Sequence, residues 1–309
     1  MPNLIDKRVL FFSGKGGVGK STLAWAAGLC AARLGKRVLI MEIFPSNYPK
    51  LFGANKLEYA PKRMTKNLWA MRLDPYDALE EYLTRLLKFK PMVKMFLRNK
   101  VFRSLADVAP AWRELITLGK VWYAESAPHR HPFDMFIVDV PATGHGISLF
   151  KVPKAVLKTL GMSPIRTHTL AVQHLITDPT RTRICIVAIP EELAIKEALE
   201  LLTAATEEIG LHKGRIFLNM VPPRFNRNRN RMAAAAELAQ ALDIKEPDKI
   251  VEASEHIARW RRRAEEYAKY LNAKLKEYPT LIPYIPEEMS MDGLMRIARA
   301  MEPAFLGSR

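Results

Sequence analysis

The amino-acid sequence predicts an α/β fold: a doubly wound, mainly parallel sheet with a helical subdomain inserted on one edge. Three observations support this prediction. First, short apolar runs alternate with helical patterns along most of the 309 residues, as expected when helices cover both faces of a parallel sheet. Second, a glycine-rich turn joins the first apolar run to the first helical pattern. Third, residues from 75 to about 125 show a helical pattern with no strand.

The N-terminal part of the chain is predicted to form a βαβ unit. Residues 9–13 (VLFFS) form an apolar strand, and residues 21–34 form a helix that ends at Gly35. Residues 37–43 (RVLIMEI) are a continuous β-rich run, which is typical of a parallel strand buried on both faces. Further strands are predicted at residues 68–73, 135–140, 184–189, 215–219 and 281–284.

A single domain is predicted for residues 1–309, because no Gly/Ser-rich linker divides the chain. Within it, residues 76–130 and 146–175 are predicted, approximately, to form the helical subdomain. Residues 248–277 carry apolar side chains at steps of three, four or seven, which predicts one long amphipathic helix. Before that helix, residues 222–232 (PPRFNRNRNRM) alternate Arg and Asn and are predicted to form a cationic loop.

The composition narrows the class of protein. The chain has 48 Lys and Arg against 32 Asp and Glu, a net charge of +16. That charge suits a nucleotide, a nucleic acid or an anionic lipid surface, although a solvated basic surface with no partner has the same balance. Cys30 and Cys185 form no CxxC pair, which argues against a zinc site or a disulfide framework within one chain. The two isolated cysteines fit a reducing cytoplasm, so we expect a cytoplasmic protein and leave peripheral membrane attachment open. Because no apolar run approaches the roughly 18 residues of a membrane span, we expect no transmembrane helix.

The glycine-rich turn carries the phosphate-loop pattern G-x-x-x-x-G-K-[ST]. Its glycines allow backbone N–H groups to close around phosphate oxygens, and the following helix directs its N-terminus at the same anion. Lys20 is expected to contact the β- and γ-phosphates and Ser21 to hold Mg²⁺. ATP and Mg²⁺ are therefore the expected ligands. The expected nucleotide-binding residues of this loop are Gly14, Lys15, Gly16, Gly17, Val18, Gly19, Lys20, Ser21 and Thr22.

A second lysine, Lys15, directly follows the first glycine of GKGGVGKST. This string resembles the deviant phosphate loop of the MinD/ParA/ArsA class of ATPases. The resemblance implies a homodimer in which Lys15 crosses the interface to the partner's nucleotide and stabilises charge there. An arginine finger that acts in this way is worth about 10³–10⁵ in rate. The alternative is a solvent-facing lysine beside the loop.

The second nucleotide motif is the apolar run DMFIVD, which ends in Asp139. This is the Walker B arrangement, in which the acid orients Mg²⁺, here through a water molecule. The following VPATGHG resembles the switch II string D-T-A-P-T-G-H-T of ArsA and of the ATPases that target tail-anchored proteins, with Pro and Ala exchanged. The resemblance implies a γ-phosphate sensor at Thr143, Gly144 and His145, with Gly144 as the hinge. The alternative for His145 is a surface loop histidine.

Two further residues are assigned by the same resemblance. In FLNMVPP, Asn219 stands at the end of a predicted strand, where the family has an asparagine that reads the adenine base. The alternative is a turn asparagine that caps the strand end. In PYIPEE, Pro283 belongs to a loop that resembles the family's last loop, which borders the adenine.

Switch I departs from the family pattern D-P-A-H, whose aspartate positions the attacking water. When the strings are aligned on Pro45, Phe44 occupies the place of that aspartate. A phenyl ring cannot accept a proton, so either another acid serves or hydrolysis is slow. Glu42 is the nearest candidate, whereas Asp74 is predicted to cap a helix. The expected catalytic residues are Lys15, Lys20, Asp139 and Glu42. The clustered cysteines of the metalloid pump are missing, which disfavours that role.

The predicted helical subdomain contains a basic amphipathic stretch at residues 82–106, with seven basic residues and no acidic one. Such a stretch suits an anionic membrane surface or a hydrophobic client helix, although the same residues could simply pack the subdomain. The sequence thus predicts an ATP-hydrolysing homodimeric switch that couples ATP or ADP binding to a client. The alternatives are a ParA/MinD-like positioning ATPase that acts on DNA or membrane, and a nucleotide switch with little hydrolysis.

Overall fold

The computed structural model of the protein describes residues 3–99, 111–127, 132–159, 161–224 and 247–307. The strands are β1 (Val9–Gly14), β2 (Val38–Glu42), β3 (Lys62–Thr65), β4 (Leu68–Arg72), β5 (Met135–Asp139), β6 (Thr182–Ala188), β7 (Lys213–Val221) and β8 (Thr280–Pro283). The helices are α1 (Lys20–Arg33), α2 (Tyr48–Leu51), α3 (Pro75–Leu87), α4 (Lys90–Arg98), α5 (Ala111–Ser126), α6 (Thr143–Thr159), α7 (Pro164–Thr177), α8 (Glu192–Thr203), α9 (Pro247–Leu275) and α10 (Met291–Leu306).

The predicted fold class is confirmed. The eight strands form one sheet in the order β3-β4-β2-β5-β1-β6-β7-β8, and every neighbouring pair is parallel except β3 with β4. Strand β3 was not predicted from the sequence. Its residues are largely exposed, so this edge strand has no buried apolar face and gives no periodic signal.

Each face of the sheet is buried by its own set of helices. On one face, α1 and α10 pack around Trp25, Leu294 and Phe305. On the other face, α5 to α9 contribute to a second core that includes Phe150 and Leu271. Parallel strands covered in this way on both faces are apolar along their whole length. For this reason the strands could be predicted from continuous apolar runs in the sequence.

The helical region after β4 is continuous with the sheet's second core. Helix α3 packs against α4 and α5, and α6 packs against both α5 and α7. Side chains of α5, α6 and α7 lie in the same buried cluster as β1 and β5. The division into a separate helical subdomain therefore stays a prediction. Residues 100–106 of the basic stretch and residues 225–232 of the predicted cationic loop lie outside the described residues.

Asp74 caps helix α3, as predicted. Its side chain accepts hydrogen bonds from the backbone N–H groups of Tyr76 and Asp77, so two donors of the first turn are satisfied. None of the described helices is long and apolar enough to cross a membrane.

We expect Asp74→Ala to lower the free energy of unfolding by about 1 kcal/mol, because the first turn of α3 loses its cap. Asp74→Asn should recover most of that loss, since an amide oxygen also accepts from the backbone. Denaturant unfolding measures both variants. A cap does no chemistry, so a loss of phosphate release beyond about tenfold in folded Asp74→Ala protein would contradict this assignment.

Candidate nucleotide-binding site

The candidate site lies where parallel strands end side by side. Asp139, the last residue of β5, is paired in register with Phe12 of β1 and with Glu42, the last residue of β2. Asn219 lies near the end of β7. Ligands of open α/β sheets bind beyond the carboxyl ends of the strands, where the chain order reverses. Here β1 lies between β5 and β6, so the turn that follows β1 occupies that position.

The turn between β1 and α1 requires glycine at two positions. A Cβ on Gly14 would lie 2.3 Å from the carbonyl oxygen of Val187. A Cβ on Gly19 would lie 2.3 Å from Asn219 Nδ2, and Gly19 also adopts a φ of +89°. Because no side chain of the described residues caps α1, the N–H groups of its first turn remain available to an anion in the turn.

The two lysines of the turn have different partners. Lys20 Nζ donates to the backbone carbonyl of Lys15 at 2.8 Å, so this ammonium folds back over the loop. Burial lowers the pKa of Lys20, and the nearby Asp139 carboxylate opposes that shift. Lys15 Nζ instead lies 3.2 Å from Glu197 Oε1 on α8. The predicted role of Lys15 across a dimer interface stays a prediction.

Ser21 and Asp139 form a pair suited to a magnesium ion. Ser21 Oγ donates to Asp139 Oδ2 at 2.5 Å. Burial raises the pKa of Asp139 to about 6, assisted by the charge of Glu42 and opposed by the Ser21 hydrogen bond and by Lys20. Among the described residues, nothing hydrogen-bonds to Asp139 Oδ1, although that oxygen is buried. A buried carboxylate oxygen with no partner, beside a hydroxyl, is a donor set that fits Mg²⁺.

Glu42 is held by hydrogen bonds to both of its oxygens. The indole Nε1 of Trp25 donates to Glu42 Oε1 at 2.6 Å, and the Ser46 hydroxyl donates to the same oxygen. The backbone N–H of Ser46 lies 3.3 Å from Oε2. Glu42 is only 1% exposed. The carboxylate therefore ties to α1 the start of residues 43–48, which the resemblance predicts as switch I and which we call the switch I segment.

The rest of switch I is attached to α1 through Tyr48. The hydroxyl of Tyr48 lies 2.5 Å from Thr22 Oγ1, and burial raises the pKa of this phenol. The ring of Trp25 stacks against Tyr48 and Phe52. Phe44 is 63% exposed, and the neighbouring Pro45 is exposed as well. Phe44 thus points towards solvent while the residues around it are anchored.

The remaining predicted residues are placed as follows. Asn219 is 4% exposed, and its Nδ2 donates to the carbonyl of Val18 at 2.9 Å, so the amide braces the phosphate loop. Half-buried Pro283 ends β8 and pairs with Val221. Adenine contacts by Asn219 and Pro283 stay predictions. Thr143, Gly144 and His145 begin α6, and their side chains lie outside the described part of the structure.

Trp25 and Tyr48 were not among the residues predicted for the site. One signal for Trp25 was available, because it interrupts the otherwise small and aliphatic helix STLAWAAGLCAA. A buried indole N–H needs an acceptor, and Glu42 is an acid at the end of the neighbouring apolar strand. No comparable signal marked Tyr48, because its contact with Thr22 depends on how the segment folds back.

The parallel sheet, the glycine turn before α1 and the acid that ends the neighbouring strand together define a P-loop NTPase fold. The model of the family described as "Anion-transporting ATPase" matches residues 7–170, more than half of this chain. The chain therefore belongs to this family, and the resemblance to ArsA is confirmed.

Three relatives illustrate the match. The chain is 29% identical over 248 residues to the arsenical pump-driving ATPase of Escherichia coli, covering 73% of this chain and 41% of that protein. It is 28% identical over 202 residues to the putative arsenical pump-driving ATPase 1 of Aquifex aeolicus, covering 62% and 49%. It is 27% identical over 259 residues to the putative arsenical pump-driving ATPase of Halobacterium salinarum, covering 77% and 40%. The matches thus span less than half the length of these relatives.

We expect Asp139→Asn to raise the free energy of unfolding of the magnesium-free protein by about 1–3 kcal/mol at pH 7.5. The reason is that the native state no longer holds a desolvated carboxylate. A carboxyl with a raised native pKa adds stability below the unfolded pKa of about 4, and that stability is lost as the pH rises through the native pKa.

The gain from Asp139→Asn should therefore shrink at pH 5, where much of the native carboxyl is protonated. Chemical denaturation at the two pH values measures it. An equal gain at both values, or a loss of stability at pH 7.5, would show that the carboxylate is not penalised by burial.

Proposed function

We propose that this chain binds ATP with Mg²⁺ and hydrolyses it slowly, as a homodimeric switch whose nucleotide state governs a hydrophobic client surface. The observation that carries the proposal is the grouping of Lys20, Ser21 and Asp139 at the phosphate loop. The matched relatives are named as pump-driving ATPases, which supports the same class of reaction.

In the proposed complex, phosphate oxygens take the place that the Lys15 carbonyl now has beside Lys20 Nζ. The glycine backbone contributes N–H donors, and Asn219 keeps the loop in shape through Val18. Ser21 would hold the magnesium ion directly and Asp139 through a water molecule. Bound Mg²⁺ neutralises charge on the β- and γ-phosphates.

Slow hydrolysis is supported by the contacts of the switch I segment. Phe44 carries no proton acceptor, and both oxygens of Glu42 are engaged by Trp25 and Ser46. In this arrangement Glu42 positions the strand end and adds negative charge beside Asp139. We propose that Glu42 is a positioning residue, and that this segment supplies no acid to orient water.

We expect Glu42→Gln to change phosphate release by less than about threefold, because an amide oxygen can still accept from Trp25 and Ser46. A general base contributes typically about 10²–10⁴ in rate, so a loss of that size would mean that Glu42 is the base. Phe44→Asp should raise phosphate release tenfold or more, with Phe44→Asn as the uncharged control. If Phe44→Asn matches Phe44→Asp, the missing carboxylate is not the reason for slow turnover.

The proposed homodimer rests on Lys15. Its Nζ contacts Glu197 at the protein surface, and a third of the lysine side chain is exposed. The ammonium can therefore leave Glu197 and pair with a phosphate of the partner's nucleotide. The same contact also fits a lysine that acts only within its own chain. The two arrangements predict different rates of phosphate release for a mixture of two variants.

We expect Lys15→Ala to lower phosphate release at least about 100-fold and to leave ATP affinity within a few-fold, because the lysine serves the partner's nucleotide. Lys20→Ala should abolish ATP binding. Mixing the two variants should restore activity, since ATP on a Lys15→Ala chain meets an intact Lys15 from its Lys20→Ala partner. Phosphate release by the mixture measures this. A mixture as inactive as its components would contradict action across the dimer.

The client surface is assigned to α3 and α4. Large apolar side chains there are exposed, with Met95 at 72%, and lysines stand among them. The exposed apolar residues are Leu86, Leu87, Phe89, Met92, Met95 and Phe96. Methionine and phenylalanine adapt to varied partners, and an exposed apolar surface of this kind marks an interaction site.

A second candidate function is favoured by the net charge of +16, which suits DNA or an anionic membrane as the activating partner. Phosphate release with DNA, with anionic vesicles and with a hydrophobic peptide helix separates the candidates. Stimulation by the peptide alone supports the client switch, whereas stimulation by DNA alone supports a positioning ATPase.

A further inference from the structure

Helices α3, α5 and α7 line a half-open cavity of about 520 Å³, which we call the helical cavity. Its volume lies in the range of small-molecule sites, about 300–1,000 Å³. The walls are mainly aliphatic and aromatic, and include Leu79, Leu83, Trp112, Leu115, Ile116 and Ile165. The cavity lies on the helical region and not at the phosphate loop, so the nucleotide site does not account for it.

Gly119 helps to keep the helical cavity open. It lies inside α5 and lines the cavity, and a Cβ added to it would meet no atom of the described residues within 4 Å. Glycine inside a helix is less favourable than alanine by about 1 kcal/mol. Packing therefore does not require glycine at this position, and a larger side chain would project into vacant space.

Three charged side chains line the same cavity. Lys120 Nζ lies 2.8 Å from Glu81 Oε2, and Arg85 also pairs with Glu81. The Lys120 side chain is only 5% exposed. Among the described lining residues, two cations thus face one acidic group. Lys120 is the buried cation, whereas the Arg85 side chain is 31% exposed and lies over the ring of Tyr123. The positive charge that Glu81 leaves unbalanced, at the edge of apolar walls, favours an anion as a further partner.

We propose that the helical cavity binds an amphipathic carboxylic acid, a molecule with an apolar body and one carboxylate. The body packs against the apolar walls, and the carboxylate pairs with Lys120 and Arg85. Tyr82 and His168, whose polar atoms lie 3.1 Å apart, offer further hydrogen-bonding groups at the wall. This inference does not rest on ATP binding or hydrolysis.

The size of the cavity favours a small ligand of this kind over a client helix as its occupant. A helix with side chains is about 10–12 Å wide and rises about 5.4 Å per turn, so one turn fills roughly 500 Å³. A helix of several turns therefore extends beyond the helical cavity. A client helix of several turns needs a longer surface, such as the exposed residues of α3 and α4, which share Leu86 with the cavity wall.

The test is calorimetric titration of the full chain, without nucleotide, with dodecanoate below its micelle concentration. Dodecanol and dodecylamine serve as ligands with the same chain and a neutral or positive head group. We expect dodecanoate to bind at least tenfold more tightly than either. Equal binding of dodecylamine would overturn the proposal, because the positive charges of the cavity would then not favour an anionic head group over a cationic one.

A matched pair of variants locates the site. Gly119→Leu should fill the cavity, leave the Tm unchanged or higher, and weaken dodecanoate binding at least tenfold. Gly119→Ala adds one methyl group and should retain binding within about threefold. Dodecanoate that binds folded Gly119→Leu as tightly as the unsubstituted chain would overturn the assignment.

A third variant keeps this test separate from the proposed ATPase function. Lys20→Ala, which should lose ATP binding, is expected to bind dodecanoate with unchanged affinity, since Lys20 lies at the phosphate loop. A loss of dodecanoate binding in Lys20→Ala would count against a site that is independent of the nucleotide. Loss of ATP binding alone leaves the cavity proposal supported.

Discussion

The parallel register of the central strands is the constraint on which the rest of the structure depends. It places Asp139 beside both Glu42 and Phe12, so the ends of β2, β5 and β1 meet at one point. The phosphate loop follows β1 there, and Ser21 at the start of α1 reaches Asp139. Two carboxylates on neighbouring strands are unfavourable without a cation, and their proximity is part of why the pKa of Asp139 is raised.

Anchoring of the switch I segment to α1 follows from the same arrangement. Trp25 and Thr22 lie on the helix that begins at the phosphate loop, and they hold Glu42 and Tyr48 respectively. These short contacts connect the switch I segment directly to the helix that begins at the phosphate loop. On the other side of Asp139, α6 begins at Thr143 and packs against α5 and α7, which line the helical cavity. Packed helices thus join the candidate site to the cavity.

The sequence was sufficient to predict those features in which one residue type satisfies one physical requirement. Gly14 and Gly19 are needed because no Cβ fits, and the apolar strands are readable because both faces are buried. Strand β3 was missed because it is exposed. The Trp25–Glu42 bond and the helical cavity depend on how distant elements meet, which no local pattern encodes. Gly119 alone, a glycine inside a helical pattern, offered a hint of the cavity.

The central claim is that Lys20, Ser21 and Asp139 form a magnesium-nucleotide site completed by a second chain. A crystal structure with a non-hydrolysable ATP analogue and Mg²⁺ tests it most directly. We expect Mg²⁺ between Ser21 and Asp139, Lys20 on the phosphates, and Lys15 moved from Glu197 to the partner's nucleotide. A nucleotide bound elsewhere, or Lys15 still paired with Glu197 in a nucleotide-bound dimer, would contradict it.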